Sequence, residues 1–520
     1  MIEPPLLPPG TAPQSISFPA HDLTFPLGRL DRRATMIRID PTARIGRINP
    51  NLYGMFIEHL GRCIYGGIYD EGSRLSDSEG FRIDVLKACQ HLAPPLLRWP
   101  GGNFVSGYHW LDGIGAKDKR PRQFDRAWFA EESNRFGTDE FIAFCRRLDS
   151  EPYICANAGT GTLDEAATWV EYCNGWGDTH YANLRRQGGN RVPYNVRYWG
   201  LGNEMYGSWQ IGHLDAEDYA KKALEMAKLM RWTDPRIALV ACGLGQPEWD
   251  EPVLERLRST PGGLDYLSVH CYVGDNDYYK NVSSVTYMED ILERTKASLC
   301  RVFGVNDAAQ APVKIAVDEW NVWFSNRSNE PYDNENKLRE IYDLSDALCV
   351  ATFLHLFQRE CRVVTMANLA QMVNVIAPIL TSPDGLILQA IYHPLVLLRH
   401  HSGDYAVEAS ADAGELTVAQ TGTRPVPILD LSTSVSEDGA RLYLSVVNRH
   451  ESEAIESPLV VSGATVEWQR GWQVNAAGVH ERNSFEQPNL VRTRELHPDP
   501  TARAYTFPAH SHTVLEASLH

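Results

Sequence analysis

The chain has no paired-cysteine pattern, no long apolar run and no excess of positive charge. Its ten cysteines stand singly, at positions such as Cys63, Cys155, Cys242 and Cys361, with no C-x-x-C pair among them. That spacing excludes a cysteine zinc site and a small disulfide framework, and it points to a reducing compartment in which cysteine acts as a small buried hydrophobe. The first residues, MIEPPLLPPG, lack a basic segment and are broken by prolines, so they do not read as a secretory signal. No stretch has the length of a membrane span. A net charge of -17 argues against binding a phosphate backbone, which needs clustered Lys and Arg. There is no H-E-x-x-H or comparable ligand spacing, and no metal or cofactor is expected. These absences leave a cytoplasmic enzyme or binding protein whose partners are neither nucleic acid nor membrane.

What is present is a regular alternation. Apolar runs without helical spacing occur at 52–59 (LYGMFIEH), 95–102 (PLLRWPGG), 153–159 (YICANAG), 196–205 (VRYWGLGNEM), 236–243 (RIALVACG), 264–272 (LDYLSVHCY), 313–320 (VKIAVDEW) and 363–371 (VVTMANLAQ). Each reads as a buried parallel strand ending in polar groups. Between them lie stretches with apolar residues three and four apart, such as FRIDVLKACQHL, TDEFIAFCRRL, LDEAATWVEYC, AEDYAKKALEMAKLM and LREIYDLSDALCVATFLHLF. Eight such units predict a (β/α)8 TIM barrel over 51–402, with its site at the C-terminal strand ends. A doubly wound sheet is the alternative, but it would not gather so many polar strand ends in one place.

Beyond 403 the runs GELTVAQ, ARLYLSVVN, ESPLVVSG, TVEWQRGWQV and HTVLEASL predict a β-sandwich, jelly-roll-like, over 403–520. Residues 1–35 are proline-rich and read as an irregular extension. The strand-like stretch at 36–50 has no neighbour to pair with, and is expected to join the C-terminal β-domain.

Two glutamates, Glu204 and Glu319, fall at the ends of the fourth and seventh predicted strands. A pair of carboxylates presented this way suits glycoside hydrolysis, in which one is protonated while the other is ionised. The rest of the rim would carry Glu58, Arg98, Asn103, Asn157, Asn203, His270, Tyr272, Gln371 and Asn374. Such a ring of carboxylate, amide, guanidinium and phenol groups is what a polyhydroxylated ligand requires. Trp99, Trp199, Trp320 and Trp323 offer flat faces for sugar rings, although Trp199, in mid-strand, reads equally as core. Arg98 could instead neutralise a buried carboxylate, and His270 could be an ordinary core histidine.

The blocks YGMFIEHLGRCIYGGIYDEGS, LLRWPGGNFVSGYHWLDGIG, WGLGNEMYG, SVHCYVG, VDEWNVWF and LAQMVNVIAPI resemble glycoside hydrolase family 51, the intracellular α-L-arabinofuranosidases. The resemblance runs in order from about residue 38 to the C-terminus. It implies a retaining enzyme with Glu204 as acid/base and Glu319 as nucleophile. Glu58, Asn103, Asn203, Tyr272 and Gln371 would bind the furanose, Trp323 and Trp128 would shape the pocket mouth, and Arg98 and His270 would tune the carboxylates. It also implies an arabinose-containing oligosaccharide substrate and a hexamer. Two other readings stay open at this stage: an endo-acting β-glucanase or xylanase on the same barrel, and a carbohydrate-binding protein without turnover.

Overall fold

The computed structural model describes residues 35–324, 338–416, 418 and 424–520. The proline-rich extension up to residue 34 lies outside the described residues, as do positions 417, 419 and 420 of the run GELTVAQ. Eight parallel strands close into a barrel in chain order: Gly54–Phe56, Leu96–Trp99, Glu151–Ala156, Tyr198–Leu201, Ala238–Cys242, Tyr266–Val273, Lys314–Val322 and Val364–Ala370. They are called the first to eighth barrel strands below. The first is the shortest, because Asn49 and Pro50 start a 3-10 turn over Pro50–Tyr53 that takes up Leu52 and Tyr53 of the apolar run. Leu96, Tyr153, Tyr198, Ala238, Val240, Ala316 and Met366 fill the barrel as one core cluster.

The helix Leu344–Arg359 begins six residues later than the apolar spacing suggests. Asp343 accepts a hydrogen bond from the Asp346 amide, and Asp346 accepts one from the Asp343 amide, a reciprocal cap that fixes the start. This helix is buried on nearly every face, because it lies between the barrel and the C-terminal domain. Phe353 stacks on Trp320 of the seventh strand at 5.5 Å between ring centres. On the other side His355 Nδ1 meets Asp430 Oδ1 at 2.7 Å, and Arg449 reaches Asp430 Oδ2 at 3.1 Å.

The C-terminal domain is built on one nine-stranded sheet. Trp468, near one end of its strand order, and Ile455 and Phe507, at the other, share a single core cluster, so the sheet curls over on itself. Met36–Arg47 lies within it, antiparallel to Tyr405–Asp412 and parallel to Ile455–Val461. Its register slips between Asp40 and Arg44. Pro41 has no amide to give the ladder there, and Asp40 turns its carboxylate back onto the Thr42 amide at 2.9 Å. Among the described residues of GELTVAQ, Glu415–Leu416 forms a strand, paired with Val426–Pro427.

Candidate active site

The seventh strand is irregular where the chemistry lies. Its pairing slips between Ala316 and Glu319 on one side and between Val317 and Trp320 on the other. In a regular strand neighbouring side chains point to opposite faces. The bulge instead turns both Asp318 and Glu319 toward the same cluster inside the barrel mouth. Glu204 follows the fourth strand through a tight turn, with Gly202 at φ 88 and Glu204 itself at φ 42. The left-handed step at Gly202 needs a residue without a Cβ, and an added one would lie 2.5 Å from Ala158.

Arg98, at the end of the second strand, joins the groups. Its Nη1 donates to Glu319 Oε1 and its Nη2 to Asn203 Oδ1, each at 2.6 Å, and its Nε lies 3.5 Å from Asp318. Tyr272 donates its hydroxyl to Glu319 Oε2 at 2.8 Å. Both Glu319 oxygens are therefore held. Glu204 accepts from Trp209 Nε1 at 2.7 Å and from Tyr206 at 3.3 Å. His270 lies between the carboxylates: Nδ1 is 2.8 Å from Glu204 and 3.6 Å from Glu319, and Nε2 is 3.2 Å from Asp318.

This arrangement sets the charges. Burial alone would strip His270 of its proton, but Glu319, Asp318 and Glu204 around it raise its pKa to about 10. Burial also disfavours charge on Asp318 and Glu204. Arg98 and His270 outweigh it for Asp318, and His270, Trp209 and Arg98 outweigh it for Glu204, so both lie below the ordinary carboxylate range. Tyr272 is raised well above its usual value by burial and by Glu319, and stays a donor. Glu58 behaves differently. It accepts from the Phe104 amide at 3.0 Å, Trp128 Nε1 at 2.9 Å and Gln371 Nε2 at 2.9 Å, yet burial dominates and pushes it up to about 8.

The structure thus brings together Glu58, Arg98, Trp128, Asn203, Glu204, His270, Tyr272, Glu319 and Gln371. Trp323 packs edge-on against Tyr272, ring centres 5.8 Å apart. Asn103 begins the 3-10 turn Asn103–Gly107, half-buried beside this group. Among the described residues, no hydrogen bond ties its side chain to the cluster. The other tryptophans do not face the site: Trp99, Trp199 and Trp320 are all at most 1% exposed, packed as core. An aromatic near a strand end does not announce which face it takes. Asn157 and Asn374 also depart from the expected rim role. They give their amides to the Tyr108 and Arg62 carbonyls, at 2.9 and 2.8 Å, and so tie loops together.

Sequence reasoning passed over Asp318, Tyr206, Trp209 and Gln210. The last three lie in the loop that follows Glu204, and only the stretch's own aromatic and amide content, YGSWQ, hinted at them. Asp318 was hidden by the assumption of a regular strand. Among the described residues Glu204, His270 and Glu319 also place possible metal-ligand atoms within 4.8 Å of one another. His270 Nδ1 there faces Glu204 Oε1 at 2.8 Å.

One oxygen of Glu204 thus lies within 4.8 Å of one of Glu319, a close approach of the kind that retaining glycosidases use, whose carboxyl groups stand about 5–5.5 Å apart. Barrel and site together define a two-carboxylate glycoside hydrolase. The family models agree on the kind: an alpha-L-arabinofuranosidase 1 domain matches residues 88–290 and an alpha-L-arabinofuranosidase C-terminal domain matches 318–511. The chain is 41% identical over 502 residues to alpha-L-arabinofuranosidase C of Emericella nidulans, covering 93% of this chain and 98% of the relative. It is 37% identical over 443 residues to the intracellular exo-alpha-(1->5)-L-arabinofuranosidase 1 of Bacillus subtilis, covering 81% and 86%. Among solved structures, the thermostable GH51 alpha-L-arabinofuranosidase of Thermotoga petrophila superposes with a TM-score of 0.84 at 44% identity, covering 93% of this chain and all of that one. The chain belongs to glycoside hydrolase family 51, the α-L-arabinofuranosidases.

Proposed function

We propose that the protein releases terminal, non-reducing α-L-arabinofuranosyl residues from arabinan- and arabinoxylan-derived oligosaccharides by double displacement. The observation that carries this is the close pair of carboxylates in unlike surroundings. Glu319 has both oxygens held by donors, Arg98 and Tyr272, which aim it. It is the nucleophile, and attacks the anomeric carbon. Glu204 is the acid/base. In the free site the proton of the Glu204 and His270 pair sits on His270 Nδ1, 2.8 Å from Glu204 Oε1. As Glu319 forms its bond to the sugar its charge is neutralised, and the attraction that holds the imidazolium weakens. The proton can then move to Glu204 and on to the leaving oxygen. In the second step Glu204 takes a proton from the water that cleaves the glycosyl ester.

Asn203 holds the 2-hydroxyl, a contact that strengthens in the transition state. Glu58, Gln371, Trp128 and Asn103 bind the rest of the furanose, and Trp323 closes the mouth. Neither rival reading gains support: a carbohydrate-binding protein has no use for two opposed carboxylates, and the relatives reported above are arabinofuranosidases by name. We further read the enzyme as cytoplasmic, acting on imported oligosaccharides, and as a hexamer by family resemblance, which light scattering on the purified protein would test. No helix among the described residues is long and apolar enough to cross a membrane.

The deciding experiment is release of the aryl group from an aryl α-L-arabinofuranoside by wild type and by Glu319→Ala, with and without azide. Turnover by the wild type, its loss in the variant and rescue by azide to the inverted arabinosyl azide are expected. An inert wild type, or a variant that keeps its rate, overturns the reading.

A further inference from the structure

We propose that Gln210 is a positioning residue for catalysis: it locks the side-chain amide of Asn203 so that one N–H is aimed at the bound sugar. The inference rests on the reading above that Asn203 grips the 2-hydroxyl. A guanidinium only donates, so the atom of Asn203 facing Arg98 Nη2 at 2.6 Å has to be the amide oxygen. That leaves the NH2 group pointing away from Arg98. The torsion that orients an amide is soft, so one contact does not fix its plane.

Gln210 supplies the second contact. Its Oε1 lies 3.4 Å from Asn203 Nδ2, and its own orientation is set by Nε2, which donates to Ser106 Oγ at 2.6 Å and faces the Gly102 carbonyl at 3.5 Å. Every member of this chain is buried: Asn203 is 1% exposed, Gln210 2% and Ser106 0%. Flipping either amide would set donor against donor. Arg98 and Gln210 thus hold Asn203 from opposite sides, and one N–H of Nδ2 stays uncommitted. A Cβ added at Gly102 would lie 3.0 Å from Glu319, 3.4 Å from Asn203 and 3.6 Å from Glu58. The chain of bonds therefore also pins the loop after the second strand beside the nucleophile.

The test uses the full-length enzyme and an aryl α-L-arabinofuranoside. Gln210→Met removes the acceptor at similar volume. It should lower kcat by about 10- to 100-fold with KM changed by less than about threefold, because the lost alignment matters most where the 2-hydroxyl contact is strongest. In an Asn203→Ala background the same substitution should change kcat by no more than about twofold. Ser106→Ala, a small change at a buried site, frees the Gln210 amide and should give a smaller loss of kcat that likewise vanishes in Asn203→Ala. It decides the matter if Gln210→Met does not fold. Equal losses in both backgrounds, or a change confined to KM, would overturn the proposal while an active wild type leaves the furanosidase reading standing. An inert wild type removes both.

Discussion

His270→Asn should leave a protein whose stability deficit shrinks steadily as pH rises from 6.5 to 10. The imidazole ionises near 6.5 in an unfolded chain, but its three carboxylate neighbours carry it to about 10 in the folded one. A raised folded pKa means that the stabilisation is fully present below 6.5 and is lost as pH rises through 10. At 1.36 kcal/mol per pH unit that interval corresponds to at most about 5 kcal/mol. Breaking a buried ion pair by removing one partner costs about 3–5 kcal/mol, which agrees. The variant begins without this term, so wild type and variant should differ most near pH 6.5 and converge toward pH 10. Thermal denaturation midpoints of both proteins, taken at half-unit steps across that range, read the difference directly. Lysine, tyrosine and cysteine titrations elsewhere cancel in the comparison. A gap that stays constant from pH 6.5 to 10 would mean that His270 is neutral in the folded protein, and the proposed handover of its proton to Glu204 would fall with it.

Three further substitutions probe the remaining parts. Glu58→Gln should cost less than about 1 kcal/mol near pH 6 while Glu58→Leu costs about 1–3 kcal/mol, because burial pushes Glu58 up to about 8 and its side chain is neutral there. Equal losses in chemical denaturation would show it to be ionised. Tyr272→Phe removes one of the two donors on Glu319, and should reduce kcat/KM by about tenfold with the denaturation midpoint little changed. A fall in midpoint of several degrees without a loss of rate would make Tyr272 structural. Asp430→Asn, at the junction of the two domains, leaves the buried Arg449 and the half-buried Arg359 without their counter-charge. It should cost about 3–5 kcal/mol with KM for the aryl substrate unchanged, and a shifted KM would show that the C-terminal domain shapes the pocket.

The eight barrel strands were legible because a parallel strand buried on both faces writes itself as an unbroken apolar run. The strands Tyr405–Asp412, Leu429–Val435, Arg492–Leu496 and Ala504–Phe507 were not. LDLSTSV is small and polar by composition yet buried throughout, since it faces the Leu344–Arg359 helix on one side and the sheet's core on the other. Composition reports how a residue partitions from water, not which other polar groups await it, and Ser432 and Thr433 are satisfied by Gln358 and the Val407 carbonyl.

The same limit governs the site. Residue types and strand ends were enough to nominate Glu204 and Glu319, because each closes an apolar run. Their ionisation was not legible, since it belongs to no single residue. Glu204, Asp318 and Glu319 share two cationic neighbours, Arg98 and His270, and moving any one proton changes the field at the other four. A general acid is commonly recognised by a raised pKa, yet Glu204 lies below its ordinary value because the proton it needs is stored one hydrogen bond away. In the proposed mechanism the acid is therefore the pair, Glu204 with His270. What makes the pair possible is the bulge that turns Asp318 inward beside Glu319, a single-residue slip in register that supplies the third carboxylate and with it the charge to hold the imidazolium.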